Sequence, residues 1–211
     1  MSTRESVVDR VDVSDLPQTR VFEAALEGIT DLLFGAPVRS VRASDEDALS
    51  FDRRTCHEKI HTNKDGEAYL LGVSLQKALV KSAVRRGELI AGRGKSNFTS
   101  RFKQGVFIHD MVLRDGSGTP IIAADIPVKE LFVPLQPQKP NGPKGYRCFP
   151  YLTRWFCSAE LMIFDNLIDA DRLQRHIEEC GMFCGLGSMN VGNGHNNGRF
   201  RLLSLTLKES H

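Results

Sequence analysis

Residues 181–200 read GMFCGLGSMNVGNGHNNGRF, and no regular element can run through them. The stretch holds six of the chain's 18 glycines (Gly181, Gly185, Gly187, Gly192, Gly194, Gly198) together with Asn190, Asn193, Asn196 and Asn197. Glycine inside a helix or strand costs roughly 0.5–1 kcal/mol relative to alanine, so a run this dense reads as a loop whose order comes from its flanks. Upstream, residues 169–180 (DADRLQRHIEEC) begin with acids suited to the positive end of a helix and stop at Gly181. Downstream, from Arg199 to Leu207, Leu203, Leu205 and Leu207 alternate with Ser204 and Thr206, as in a half-buried strand. The segment therefore links a helix to the last strand. Its glycines permit positive φ and close approach, so it can offer several N–H donors to one anion or let a nucleotide chain lie along it. The plain alternative is a connection that only turns the chain. A dinucleotide fingerprint is a poor fit, because GxGxxG should follow a strand and open a helix, and the Walker A pattern fails for want of GK[ST].

Charge is concentrated elsewhere. Residues 74–105 carry eight of the 28 basic residues (Lys77, Lys81, Arg85, Arg86, Arg93, Lys95, Arg101, Lys103) against one acid, Glu88, so the window is +7 and the rest of the chain −5. A concentrated basic segment in a near-neutral protein points to a polyanion, the bland reading being a solvated helix followed by a Lys-rich loop. Residues 74–86 (SLQKALVKSAVRR) are predicted helical, with Ser74 as the cap, Gly87 as the stop and Leu75, Ala78, Leu79 and Ala83 on one face, interrupted only by Ser82. Lys77, Lys81 and Arg85 recur every four residues and line up as a basic stripe. The loop beyond, AGRGKSNFTSRFKQG, interleaves Phe98 and Phe102 with its cations.

At 211 residues with 41% hydrophobic and 26% charged, the chain reads as one folded unit, neither disordered nor collagen-like. No apolar run reaches the roughly 18–20 residues of a membrane span and the N-terminus lacks a signal-peptide core, so the expectation is a cytoplasmic protein without membrane contact. Five cysteines without a regular framework (Cys56, Cys148, Cys157, Cys180, Cys184) fit reduced thiols. Residues 1–20 read as a mobile arm, and residues 21–33 as a strand turning at Gly28. Residues 35–69 read as a long insertion with little core of its own. Residues 106–113 and 119–128 are strand-like runs around an Arg114–Gly118 turn. A Pro/Gly/Lys loop with Lys139 and Lys144 follows, and residues 146–164 make one long or two short strands with Trp155 in the core.

In order, these elements make the βαββαβ ferredoxin-like plan of an α+β fold. On that plan GVSLQKALVKSA (72–83) is similar to the small-residue helix of the RAMP superfamily, the subunits that build RNA-guided CRISPR effectors and process their guides. GLGSMNVGNGHNNGRF (185–200) resembles the signature glycine-rich loop of that family, with extra residues between Gly187 and Gly192. YRCFPYLTRWFCSAELMIFD (146–165) is also similar to a group of bacteriophage proteins of the same plan. The resemblance spans residues 21–207. It implies a single RAMP-like domain over 21–211, with the insertion at 35–69.

The resemblance implies single-stranded RNA binding through the loop and neighbouring cations, in company with copies of the chain or related effector subunits. The expected contacts are Lys77, Lys81, Arg85, Arg86, Arg93, Lys95, Arg101, Lys103, Lys139, Lys144, Arg147 and Arg199 on phosphates. In the loop they are Gly185, Gly187, Asn190, Gly192, Gly194, His195, Asn196 and Asn197. Phe98, Phe102 and Tyr146 are candidate stacking residues, with core packing the competing role of each. Two other classes stay open: a phage-encoded interaction module or decoy imitating an effector subunit, and a metal-independent endoribonuclease using His57, His61, His176 or His195. His176 reads as solvated. Cys56, His57, His61, Cys180 and Cys184 have the letters of a zinc site, but the two groups stand far apart in the chain and buried thiols and surface histidines are the favoured explanation of the same letters, so no metal or cofactor is expected.

Overall fold

The computed structural model describes residues 19–135 and 142–210; residues 1–18 of the expected arm, and Lys139, lie outside them. In chain order the strands are β1 (Arg20–Gly28), β2 (Leu32–Leu33), β3 (His61–Thr62), β4 (Ala68–Leu70), β5 (Val106–Ile108), β6 (Met111–Arg114), β7 (Val128–Pro134), β8 (Lys144–Leu152), β9 (Phe156–Ile163) and β10 (Phe200–Ser210). The helices are α1 (Ala48–Arg54), α2 (Gly72–Arg86), α3 (Thr99–Gln104) and α4 (Ala170–Phe183). β1 buries Phe22, Ala24 and Leu26 on one face, the period-two pattern that lets a strand line a core. It ends at Gly28, where a Cβ would collide with the Trp155 indole and whose N–H donates to the Trp155 carbonyl at 2.8 Å.

Seven strands form the main sheet in the order β10-β1-β9-β6-β4-β3, with β5 also paired to β9. Its centre, β10-β1-β9-β5/β6, is antiparallel throughout, and α2 and α4 complete the βαββαβ plan. Leu75, Ala78 and Leu79 of α2 and Leu173 and Ile177 of α4 join Phe22, Leu26, Leu161, Ile163 and Phe200 in one core. Trp155 is fully buried, its Nε1 donating to the Thr30 carbonyl at 3.0 Å. A second sheet, β2-β8-β7, stands beside the first. The 35–69 stretch supplies α1, β3 and the start of β4, and places Ile60 and Ala68 in the shared core.

Several expectations need correction. The first N–H of α2 is met from afar, by Asp110 Oδ1 on Gly72 N at 2.9 Å, and the N-cap residue is Leu71 rather than Ser74. Residues 119–128 form no strand: after the Asp115–Thr119 turn the chain makes only isolated bridges and a 3-10 turn, and β7 begins at Val128 in the second sheet. α4 runs through Gly181 to Phe183, because that glycine is where the helix meets the Phe200 carbonyl and has no room for a Cβ. In β10 the inward residues are Leu202 and Leu205, while Leu203 and Leu207 are half exposed. A register shift between Ala25 and Leu26 inserts an extra residue at Leu203 and breaks the alternation.

Candidate nucleic-acid interface

α2 ends at Gly87, left-handed at φ 58°, and its interior holds no Gly or Pro, so its exposed face is regular. Lys77, Lys81 and Arg85 are all exposed on it. Only part of the stripe is free for a ligand. Arg85 lies 3.4 Å from Glu179 with its guanidinium 4.0 Å from the Phe183 ring centroid, and Arg86 pairs with Glu179 at 2.8 Å, so these two tie α2 to α4. Lys81 donates to Asn193 Oδ1 at 3.2 Å and thereby touches the glycine-rich loop.

The loop is built against its own backbone. The N–H groups of Gly185, Leu186, Ser188, Val191, Gly192, Asn193, Gly194, His195 and Gly198 all donate to carbonyls of the chain, so most of the loop's donors are already engaged. Its glycines mostly answer to the fold: a Cβ at Gly185 or Gly198 would meet the other strand of the loop, one at Gly187 the Leu33 carbonyl and one at Gly192 the Cys184 carbonyl. Gly194, at φ 83°, faces open space. What the loop offers is an approachable wall.

That wall and α2 enclose a cleft of about 210 Å³ lined by Lys77, Lys81, Gly185, Gly187, Asn190 and Asn193, with Ser74 and Ala78 on the helix side. Asn190 Nδ2 donates to the Gly187 carbonyl at 2.9 Å, leaving its Oδ1 shielded from water and without a donor. A shielded acceptor is costly unless something donates to it. The cleft continues, through Ser74 and Gly187, into a second of about 300 Å³ beside Gly35, Lys59, His61 and Ser188. That extension was not foreseen. Nothing in the letters pairs residues 33–37 with the loop; they meet because Ser188 N donates to the Leu33 carbonyl at 2.7 Å.

The fold compares with solved structures as follows. No protein-family model matches the sequence, and no curated protein does. A chain in the cryo-EM structure of the type III-B Cmr-beta complex bound to cognate target RNA superposes with a TM-score of 0.56 at 10% identity, over 91% of this chain and 61% of that one. The protein thus spans less than two thirds of that chain's length. Crystalline Cmr6 from Pyrococcus furiosus matches with a TM-score of 0.45 at 9% identity, over 88% of this chain and 98% of its own.

The chain has a RAMP-like fold.

Within it, the other expected residues are scattered. Arg93, Lys95 and Lys103 are exposed beyond the helix, away from the cleft lining, and Arg101 is held by Asp165 at 2.9 Å. Lys144 is exposed on β8, while Arg147 lies 3.2 Å from buried Asp52. His195 and Asn196 sit exposed at the loop tip, Asn197 Nδ2 is taken by the Met189 carbonyl at 3.1 Å, and Arg199 packs where its carbonyl receives the Ile29 N–H. Phe98 and Phe102 are core residues, so neither stacks on a ligand; Tyr146 is exposed beside Phe132 on the second sheet. The sheet face of the RAMP-like core turned from the helices is unsuited to phosphate. It carries Glu23, Glu27 and Glu160, matched to Lys208, Arg201 and His109.

Burial also sorts the histidines and thiols. His176 is fully buried, correcting its reading as solvated: Ser82 Oγ lies 2.8 Å from its Nδ1, and burial, with Arg86 nearby, lowers its pKa to about 4. His57 Nε2 is 3.0 Å from the Ile126 carbonyl. Among the described residues no three His, Cys, Asp or Glu side chains gather as a metal site. Cys56 rests against Cys148, with burial pushing its thiol up to about 12, whereas Cys180 and Cys184 belong to α4 and its end. No described helix is long and apolar enough to cross a membrane.

Proposed function

We propose that the protein binds single-stranded nucleic acid, RNA in preference to DNA, along the cleft between α2 and the 185–194 loop, as a non-catalytic RAMP-like subunit that assembles with copies of itself or related effector subunits. One observation carries this reading: Lys77 and Lys81, one helical turn apart and exposed, face a loop wall with few projecting side chains. The lysines supply sequence-independent attraction to phosphate. The Cmr-beta chain of the same fold was solved with cognate target RNA, which supports RNA among the polyanions.

The test is a salt titration of single-strand binding. The Lys77→Glu/Lys81→Glu double variant should weaken binding to unrelated strands alike and lower the salt slope by about 1.4, since each single-strand phosphate contact contributes roughly 0.7. Arg85 is left in place because reversing it would set a second carboxylate against Glu179. Unchanged affinity and slope would remove the cleft from consideration. Cleavage is the second reading, favoured by His57 and His61 lining one cleft. A labelled strand held with the protein and a chelator should stay intact; a specific cut abolished by His57→Ala or His61→Ala would replace binding by catalysis as the function.

A further inference from the structure

The same track does not end at His61. The second cleft shares Ala36, Pro37 and His61 with a third, of about 420 Å³, lined also by Arg39, His57, Glu58, Thr62 and Tyr69. The strand register sets His61 of β3 directly opposite Tyr69 of β4, and the two rings lie 5.6 Å apart at 32°, forming a tilted aromatic wall. Both are half-buried. With their centroids that close, the rings leave no room for a base between them, so a planar ligand must lie against the pair.

The polar groups decide what kind of ligand fits. Glu58 is fixed in the cleft by the Ser40 hydroxyl and by the N–H groups of Arg39 and Ser40, the latter two at 3.0 Å. Those bonds, the Ser40 hydroxyl foremost, hold its carboxyl below the usual range, so it is ionised at neutral pH. A fixed carboxylate repels phosphate yet accepts from the N–H donors of a base edge. Exposed Arg39 stands at the same cleft, suited to the phosphate of the nucleotide whose base enters.

We infer that this third cleft is a base-binding subsite, in which one unstacked nucleobase of the bound single strand lies on the His61–Tyr69 wall. The inference rests on the single-strand reading of the α2–loop cleft and extends it from phosphate attraction to base contact. The aromatic face makes the subsite tolerant of sequence, because every base has a face to stack.

The experiment measures binding of a labelled oligouridylate and of an abasic strand of equal length. Tyr69→Leu should weaken oligouridylate binding about tenfold and leave the abasic strand unaffected, since one base–aromatic stack is worth that much or more. Tyr69→Phe should bind as the parent does. His61→Ala, on a two-residue strand at the end of the sheet, gives a second variant should Tyr69→Leu melt early. Lys77→Glu/Lys81→Glu should weaken both strands. If both aromatic variants bind oligouridylate like the parent while the lysine variant fails, the base subsite is wrong and the cleft reading survives. Equal losses on both strands in the aromatic variants would also overturn the subsite. If the lysine variant binds both strands as the parent does, or the parent binds neither strand better than an unrelated protein, the cleft reading falls as well.

Discussion

His176 shows how burial changes what a residue does. On a helix among acids and arginines its letters suggest a solvated imidazole, but it has no exposed surface and packs edge-on against Phe102, ring centroids 4.6 Å apart. It is matched to Ser82, the one polar residue in the apolar stripe of α2, so two apparent blemishes in two helices are one hydrogen bond between them. Its Nε2 is 3.9 Å from a Glu88 oxygen, and neither atom has a hydrogen-bond partner. The imidazole is neutral in the native state, with its pKa lowered from 6.5 to about 4, chiefly by burial. The unfolded chain therefore binds a proton that the folded chain refuses between those values. The contribution to stability is complete above pH 6.5 and is lost as pH falls towards 4, to a total of about 3 kcal/mol. Denaturant unfolding at pH 7.5 and 4.5 should show a larger loss for the parent than for His176→Gln; equal losses would mean that this group does not titrate in the window.

At the scale of elements, the two ends of a helix differ in what marks them: α4 has its expected acidic start, with Asp169 as the cap, yet overruns Gly181 to Phe183, whereas α2 has its expected stop and an unexpected start. Gly87 closes α2 by local geometry, whereas its first N–H is met by Asp110, 38 residues away. The glycine-rich loop was visible as a loop, but not the job of each glycine. Two neighbours separate cleanly. A Cβ at Gly192 would sit 2.7 Å from the Cys184 carbonyl, whereas Gly194 has open space and only its φ of 83° to lose. Gly192→Ala should therefore lower the melting temperature well beyond Gly194→Ala, whose cost is about 1 kcal/mol of left-handed strain. Similar melting of the two variants would refute the packing role of Gly192. The loop is then a folded part of the core's rim, with most of its backbone donors engaged within the chain.

For the molecule as a whole, the second sheet is anchored to the 35–69 stretch through a buried charge cluster. Asp52 and Lys59 are both buried and pair at 2.8 Å, and Lys59 also donates to the Cys148 carbonyl of β8. Burial alone would raise the Asp52 pKa, but Lys59, the Cys148 N–H and Arg147 outweigh it and hold the carboxyl below its usual range. Lys59→Met should cost about 3–5 kcal/mol in denaturant unfolding, because it strands the Asp52 charge, and Asp52→Asn added to it should recover part of that loss. No recovery would show that packing, not charge, dominates there. The sequence by itself determined the order of the core strands and helices, the ends of β1 at Gly28 and of α2 at Gly87, the burial of Trp155 and the concentration of cations on α2, because these follow from local periodicity and backbone freedom. Only the tertiary structure decided which cations face a cleft, since Arg85, Arg86 and Arg101 find carboxylates on elements distant in the chain. It also decided that β3 and β4 set His61 against Tyr69 at the end of the same track: cross-strand register, which no local pattern encodes, places them.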